Sequence, residues 1–208
     1  MKTALEKNKK YSDKYIQKLG RLEIPELIRG IIKDSKKIMD LGCGYGQLLQ
    51  SIQKKYPTKK VFGVEISPVR VDYLKKNIKG DFKCGDVCRT GLKDNSFDLV
   101  ISTQVIEHLC DDKKLVNELS RITKKNRYIY VTSVIKKPWA VYKYRNNNKF
   151  VLDPTHEKEY KNKEEFLSLF KDTFKLIKGK TYPVRRRFLG MELKIPGYYI
   201  IEGLWIKK

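Results

Sequence analysis

The chain reads as an α/β protein built on a doubly wound sheet. Two patterns predict it. Short apolar runs ending near a glycine or an acid, at 38–41, 61–64, 82–87 and 97–102, have the length and content of buried strands. Between them lie stretches whose apolar residues return at helical spacing, the alternation that gives strands joined by crossover helices. At 208 residues the chain is near the upper end of single-domain size and can bury a substantial core, and it carries no internal repeat.

The first unit is the most informative. Ile38, Met39 and Leu41 form the strand, Gly42, Gly44 and Gly46 the loop, and Leu48, Leu49 and Ile52 the start of the helix. A strand-loop-helix of this kind cradles a nucleotide. The spacing is Gly-x-Gly-x-Gly, and Gln47 stands where a dinucleotide fingerprint would place its last glycine. Asp40, just ahead of the glycines, repels a phosphate but attracts an ammonium or a sulfonium. Cys43 sits inside the loop, where a small apolar residue suffices.

The second strand, Val61-Phe62-Gly63-Val64, ends in Glu65, placed so that a carboxylate accepts from both hydroxyls of a ribose. Pro68 then falls in the first turn of the next helix, where its missing donor is harmless. The third segment ends in Asp86, a candidate acceptor for an adenine amine, and the fourth runs into Thr103-Gln104-Val105-Ile106-Glu107-His108-Leu109. An adenosine without phosphates fits the cation-seeking loop and the ribose-seeking acid together.

On these residues, over about 36–133, the chain resembles the class I S-adenosylmethionine-dependent methyltransferases, in particular the group related to ubiquinone-biosynthesis methyltransferases. The resemblance implies a Rossmann-like, doubly wound, seven-stranded mixed sheet with helices on both faces, the last two strands antiparallel. It implies S-adenosyl-L-methionine as cofactor, with residues 40–46 at its methionine end, Glu65 at the ribose and Gly85-Asp86 at the adenine. Ile66 and Val87, which follow the two acids, and Gln104 complete the expected cofactor-binding set of Asp40, Gly42, Cys43, Gly44, Gly46, Glu65 and Asp86. The phrase from Phe97 to Leu109 is also typical of the family.

The remaining elements follow in order. Residues 3–19 and 23–32 read as helices ahead of the first strand, expected to cap the cofactor face, with Tyr11 and Tyr15 either closing over the cofactor or packing between helices. A helix over 111–125 precedes a strand over 128–133. Residues 134–160, with Pro138, Asn146-Asn147-Asn148 and Pro154, are too irregular for a core element and are expected to supply the acceptor pocket. Asn162 caps a helix over 163–171 whose Phe166, Leu167 and Phe170 face inward, and 174–179 and 198–207 form the final strands. The chain thus divides into a helical cap (1–34), a cofactor core (36–133), an acceptor insert (134–160) and a closing helix and strand pair (161–208), all in one domain.

Composition bounds the rest. No apolar run is long enough to span a membrane and residues 1–10 hold no secretion signal, so a cytoplasmic protein is expected. Cys43, Cys84, Cys88 and Cys110 form no disulfide framework and no Cys-x-x-Cys pair, and are expected to be reduced, buried thiols. The net charge of +22 raises the question of nucleic acid, yet lysine is spread over nearly every segment. It concentrates at Arg185-Arg186-Arg187 with Lys175, Lys178 and Lys180, and at 136–149, where Trp139, Tyr142 and Tyr144 interleave with Lys143 and Arg145. Mixed aromatic and basic residues suit stacked bases, sugar rings or an acidic small molecule.

Methyl transfer requires donor and acceptor held in line and, for an oxygen or nitrogen acceptor, one proton removed. The proton-handling candidates are His108 and His156, with Glu107 and Asp153 nearby in sequence. His156 precedes the helix expected to flank the acceptor, whereas His108 belongs to the shared Ile-Glu-His-Leu phrase. Glu107, His108 and His156 also resemble the metal ligands of small-RNA 2′-O-methyltransferases. Gln104 stands where those enzymes carry a further glutamate and is a weaker ligand for a hard cation, so no metal is expected. The expected activity is methyl transfer to an O or N atom of a small-molecule or glycan-type acceptor, with RNA as the alternative acceptor and a non-catalytic cofactor-binding subunit as the alternative role.

Overall fold

The computed structural model describes Glu6 and residues 22–140, 144–146, 149–188 and 191–208. The helix expected over 3–19, with Tyr11 and Tyr15, lies outside the described residues apart from Glu6, as do Tyr142 and Lys143.

The described elements are α1 (Glu26–Asp34), β1 (Lys37–Leu41), α2 (Gln47–Lys55), β2 (Lys60–Glu65), α3 (Pro68–Asn77), β3 (Asp81–Cys84), β4 (Phe97–Thr103), a 3₁₀ turn (Ile106–His108), α4 (Asp112–Ile122), β5 (Thr123–Lys136), β6 (Tyr144–Asn146), β7 (Lys149–Val151), α5 (Lys163–Ser168), β8 (Phe174–Phe188) and β9 (Met191–Lys207). Seven strands form one sheet in the order β3-β2-β1-β4-β5-β9-β8, and β6 and β7 pair separately. The first five strands of the sheet run parallel, while β9 is antiparallel to both β5 and β8. The expected seven-stranded mixed sheet is therefore present, and its order reverses between β1 and β4, where such sheets open a crevice.

Both sheet faces are covered. Ile28 and Ile32 of α1, Leu49 and Ile52 of α2 and Leu74 of α3 bury against Ile38, Val61, Leu99 and Ile101. On the opposite face Leu115 and Leu119 of α4 and Phe166 of α5 pack with Met39, Val100, Ile129 and Trp205. Trp205 stacks at a tilt on Phe170, with ring centroids 4.3 Å apart. Helix α1 thus lies along a sheet face, and Leu22, just ahead of it, reaches the cavity described below.

Three segments differ from the spans read in the sequence. Helix α4 stops at Ile122 and β5 begins at once, because Thr123 pairs with Phe97 before a register shift brings in Tyr128 opposite Leu99. Helix α5 ends at Ser168, its Asn162 cap accepting from the Glu165 amide at 2.8 Å, and turns carry the chain on to Phe174. The final strands run far beyond 174–179 and 198–207. Pairing continues from Pro183 to Phe188 after β5 has ended opposite Tyr198, so β8 and β9 project past the sheet as a hairpin arm. Proline at 183 is tolerated because β8 is an edge strand and its ladder shifts register there.

Of the cysteines, Cys43 is buried and Cys88 half-buried, but Cys84 and Cys110 are exposed free thiols, contrary to the expectation that all four are buried. Cys84 ends the edge strand β3 and Cys110 lies in the loop before α4, and no described element covers either place. No described helix is long and apolar enough to cross a membrane.

Candidate active site

Over the carboxyl ends of β1, β2 and β4 lies a cavity of about 570 Å³. Its walls come from the glycine loop and Glu65 at one end and from Glu107, His108, Asp153 and His156 at the other.

Strand β1 delivers Asp40 to this cavity almost fully buried, and its Oδ1 accepts no hydrogen bond from any described residue. Burial, and after it the charge of Glu65, pushes the Asp40 pKa up from 3.8 to about 7. A buried acid with an unused oxygen is completed by a cation or a donor. Beyond Leu41 the chain turns sharply, the amides of Gly42 and Cys43 both donating to the Val64 carbonyl at 2.8 and 3.2 Å. Gly42 has φ +78° and a Cβ there would collide with Val105, so only glycine fits. Gly46, at φ +71°, heads α2, and a Cβ on it would lie 2.5 Å from Leu74 Cδ2 and Ile78 Cδ1. Gly46 is the one expected site residue that does not line the cavity; its place is the packing of α2 against α3.

Glu65, buried at the end of β2, is held by its neighbours. The Gly44 amide donates to its Oε2 at 2.9 Å, the Ser67 amide donates to its Oε1 at 3.1 Å, and the Arg70 guanidinium stands 3.8 Å from Oε1. Arg70 also lies over the Tyr45 ring at 5.2 Å, and Tyr45 meets Tyr73 edge-on. Half-buried Asp86 accepts from the Cys88 amide at 2.8 Å, and Ile66 and Val87 add apolar wall beside the two acids. Gln104 adopts φ +56° and donates from its amide and its side chain to Thr132 Oγ1 at 3.1 and 3.2 Å.

At the other end the 3₁₀ turn carries Glu107 fully buried. Its Oε2 accepts from the Ser133 hydroxyl at 3.0 Å, and its Oε1 has no partner among the described residues. The chain from 152 to 159 folds back onto this turn, the amides of Glu157 and Lys158 donating to the Glu107 carbonyl. His108 Nδ1 lies 3.2 Å from the Thr155 carbonyl and 2.9 Å from its hydroxyl, while His156 Nδ1 lies 2.6 Å from Glu159 Oε1. The two rings meet edge to face with centroids 4.9 Å apart. Burial disfavours a charged His156, but the hydrogen bond to Glu159 and the charges of Glu107, Glu159 and Asp153 outweigh it, and its pKa is raised. Side-chain ligand atoms of Glu107, His108 and His156 lie within 4.8 Å of one another, close enough to hold a metal ion.

The structure therefore gathers Asp40, Gly42, Cys43, Gly44, Glu65, Ile66, Asp86, Val87, Gln104, Glu107, His108 and His156 around one cavity. Sequence reasoning missed Arg70, Tyr45 and Glu159. For Glu159 a signal existed in the His-x-x-Glu spacing behind His156, while Arg70 and Tyr45 meet only through the fold.

Residues 39–131 match the family model described as "Methyltransferase domain". The chain is 32% identical over 108 residues to ajmaline N-methyltransferase of Rauvolfia serpentina, covering 49% of this chain and 37% of that protein. It is 24% identical over 114 residues to the ubiquinone biosynthesis O-methyltransferase of Bartonella tribocorum, covering 52% of this chain and 45% of that one. It thus spans less than half the length of either curated relative. Among solved structures it superposes on a SAM-dependent methyltransferase from Methanosarcina mazei with TM-score 0.65 and 18% identity, over 88% of this chain and 98% of that one, a likeness of fold. Residues 39–131 thus read as a methyltransferase domain, and the fold is that of the S-adenosylmethionine-dependent methyltransferases.

Proposed function

We propose that this chain, which carries that domain and that fold, transfers a methyl group from S-adenosylmethionine to an O or N atom of a small-molecule or glycan-type acceptor. The single observation that carries the reading is the unpartnered, buried Oδ1 of Asp40 behind a glycine loop tied to Glu65, an arrangement suited to a cationic nucleoside rather than a phosphate. When bound, S-adenosylmethionine supplies a methyl carbon made electrophilic by its sulfonium.

The chain's own residues then have two tasks. Asp40 receives an ammonium, Glu65 accepts from ribose hydroxyls while Gly44 and Ser67 hold its carboxylate still, and Asp86 accepts from the adenine amine, with Ile66, Val87 and Gln104 as side walls. At the far end Glu107, His108 and His156 face the acceptor, and His156, oriented through Nδ1 by Glu159, takes its proton. Alignment across one cavity supplies much of the rate. Reduced, exposed Cys84 and Cys110 suit a cytoplasmic setting for this activity. The test is transfer of a labelled methyl group from S-adenosylmethionine to a mixed panel of amines, phenols, alcohols and sugars. Label in an acceptor, lost in Asp40→Ala, supports the reading, and a panel left wholly unlabelled by a cofactor-saturated protein opposes it.

A further inference from the structure

The chain carries a net charge of +22, yet its cavity is acidic. Among the described residues five carboxyl side chains line it, those of Asp40, Glu65, Asp86, Glu107 and Asp153, against the single guanidinium of Arg70, which is committed to Glu65 and Tyr45. Three of these acids lie with the glycine loop. Glu107 and Asp153 remain at the other end, beside the apolar walls of Leu109 and Leu152. Glu107 is fully buried and its Oε1 has no partner among the described residues, so a donor or a cation is needed to complete it. The His156 ring stands beside Glu107 and is paired through Nδ1 with Glu159, but no described donor reaches Oε1 of Glu107.

We infer that the acceptor is an organic cation, a protonated amine on an apolar body, whose ammonium docks on Glu107 with Asp153 beside it. The inference rests on the methyltransferase reading and names its substrate class. An amine gains a charge-assisted hydrogen bond to Glu107 and relieves its buried carboxylate, whereas a carboxylate or phosphate acceptor meets two like charges in a low-dielectric pocket. The lysine-rich exterior therefore does not mark the acceptor, and a polyphosphate chain such as RNA is repelled at the cavity itself.

The test is calorimetric titration of the full chain, saturated with S-adenosylhomocysteine and kept in EDTA so that no divalent ion competes for Glu107. Three probes of one shape are used: 2-phenylethylamine, 2-phenylethanol and phenylacetate. The saturation step reports on the methyltransferase reading. If S-adenosylhomocysteine does not bind, that reading fails and takes this inference with it; if it binds, the probes judge the acceptor class alone. The amine is expected to bind about tenfold or more tighter than the alcohol, the value of one charge-assisted hydrogen bond, with phenylacetate weakest. Glu107→Gln is expected to abolish the preference and Asp153→Asn to reduce it, the latter serving if the former does not fold. Equal affinities, a preference for the alcohol or the carboxylate, no binding by any probe, or an amine preference untouched in the variants overturns the assignment.

Discussion

The amide of Gly44 donates to Oε2 of Glu65 at 2.9 Å, so the loop after β1 and the acid that ends β2 form one unit rather than two separate contacts. Through Oε1 the same carboxylate receives the Ser67 amide, which fixes the start of α3. A ligand that engages Glu65 therefore meets a carboxylate already oriented from both sides.

Glu65→Ala removes that brace together with the proposed ribose acceptor. Hydrogen bonds to a charged group contribute about 1.5–3 kcal/mol each, so S-adenosylmethionine affinity is expected to fall by roughly 10–100-fold. Calorimetry measures it directly; wild-type affinity in the variant would remove Glu65 from the site.

Asp40 links binding to pH. Its pKa is raised from 3.8 to about 7, first by burial and then by Glu65, and an ammonium ligand prefers its ionised form. Cofactor affinity is therefore expected to rise as pH increases through about 7, with proton release on binding, and Asp40→Asn is expected to weaken binding and flatten this dependence. In the free protein the sign is opposite for folding. An acid whose pKa is raised on folding holds its proton more tightly in the folded chain, so its contribution to stability falls between pH 3.8 and about 7. Titrations at several pH values that show no slope in the wild type would refute the assignment of Asp40.

His156 and Glu159 are separable by kinetics. His156→Ala is expected to lower turnover by about 10²–10⁴-fold with cofactor affinity kept, as loss of a general base does. A base acts unprotonated, so turnover is expected to rise with pH through the raised pKa of His156. In Glu159→Gln the hydrogen-bonded carboxylate that helps raise that pKa is gone, and the rise is expected at lower pH. Identical pH profiles in the two proteins would return the pair to a purely structural role.

Gly46→Ala probes packing alone. A Cβ would stand 2.5 Å from Leu74 Cδ2 and Ile78 Cδ1 at a φ of +71°, and overpacking with left-handed strain costs roughly 1–3 kcal/mol. Thermal unfolding is expected several degrees lower, with cofactor affinity of the folded fraction retained because Gly46 does not line the cavity. An unchanged melting temperature contradicts the close approach of α2 to α3.

How much of this was legible in the sequence depended on range. Asp40, Glu65 and Asp86 could be read because each ends an apolar run and therefore falls at the same edge of a parallel sheet, where β1, β2 and β3 put them. His156 was found as a residue type but its partner was not, although the local His-x-x-Glu spacing pointed to Glu159. Arg70 carried no signal of its own in the sequence, and α3 turns it towards Glu65 and Tyr45. The hairpin arm of β8 and β9 lies beyond the strands expected at 174–179 and 198–207 because Pro183 and Pro196-Gly197 interrupt any regular strand pattern there, and an edge strand beyond the core tolerates both. The separate β6 and β7 pair is three residues a side, too short to leave a periodic signal.

Calorimetric titration of the purified chain with S-adenosylmethionine, beside Asp40→Ala, tests the central claim most directly. One molecule bound per chain, with binding strongly weakened in the variant, is the expected result. Absence of binding by the wild type, or equal binding by both proteins, would contradict the cofactor assignment on which the proposed activity stands.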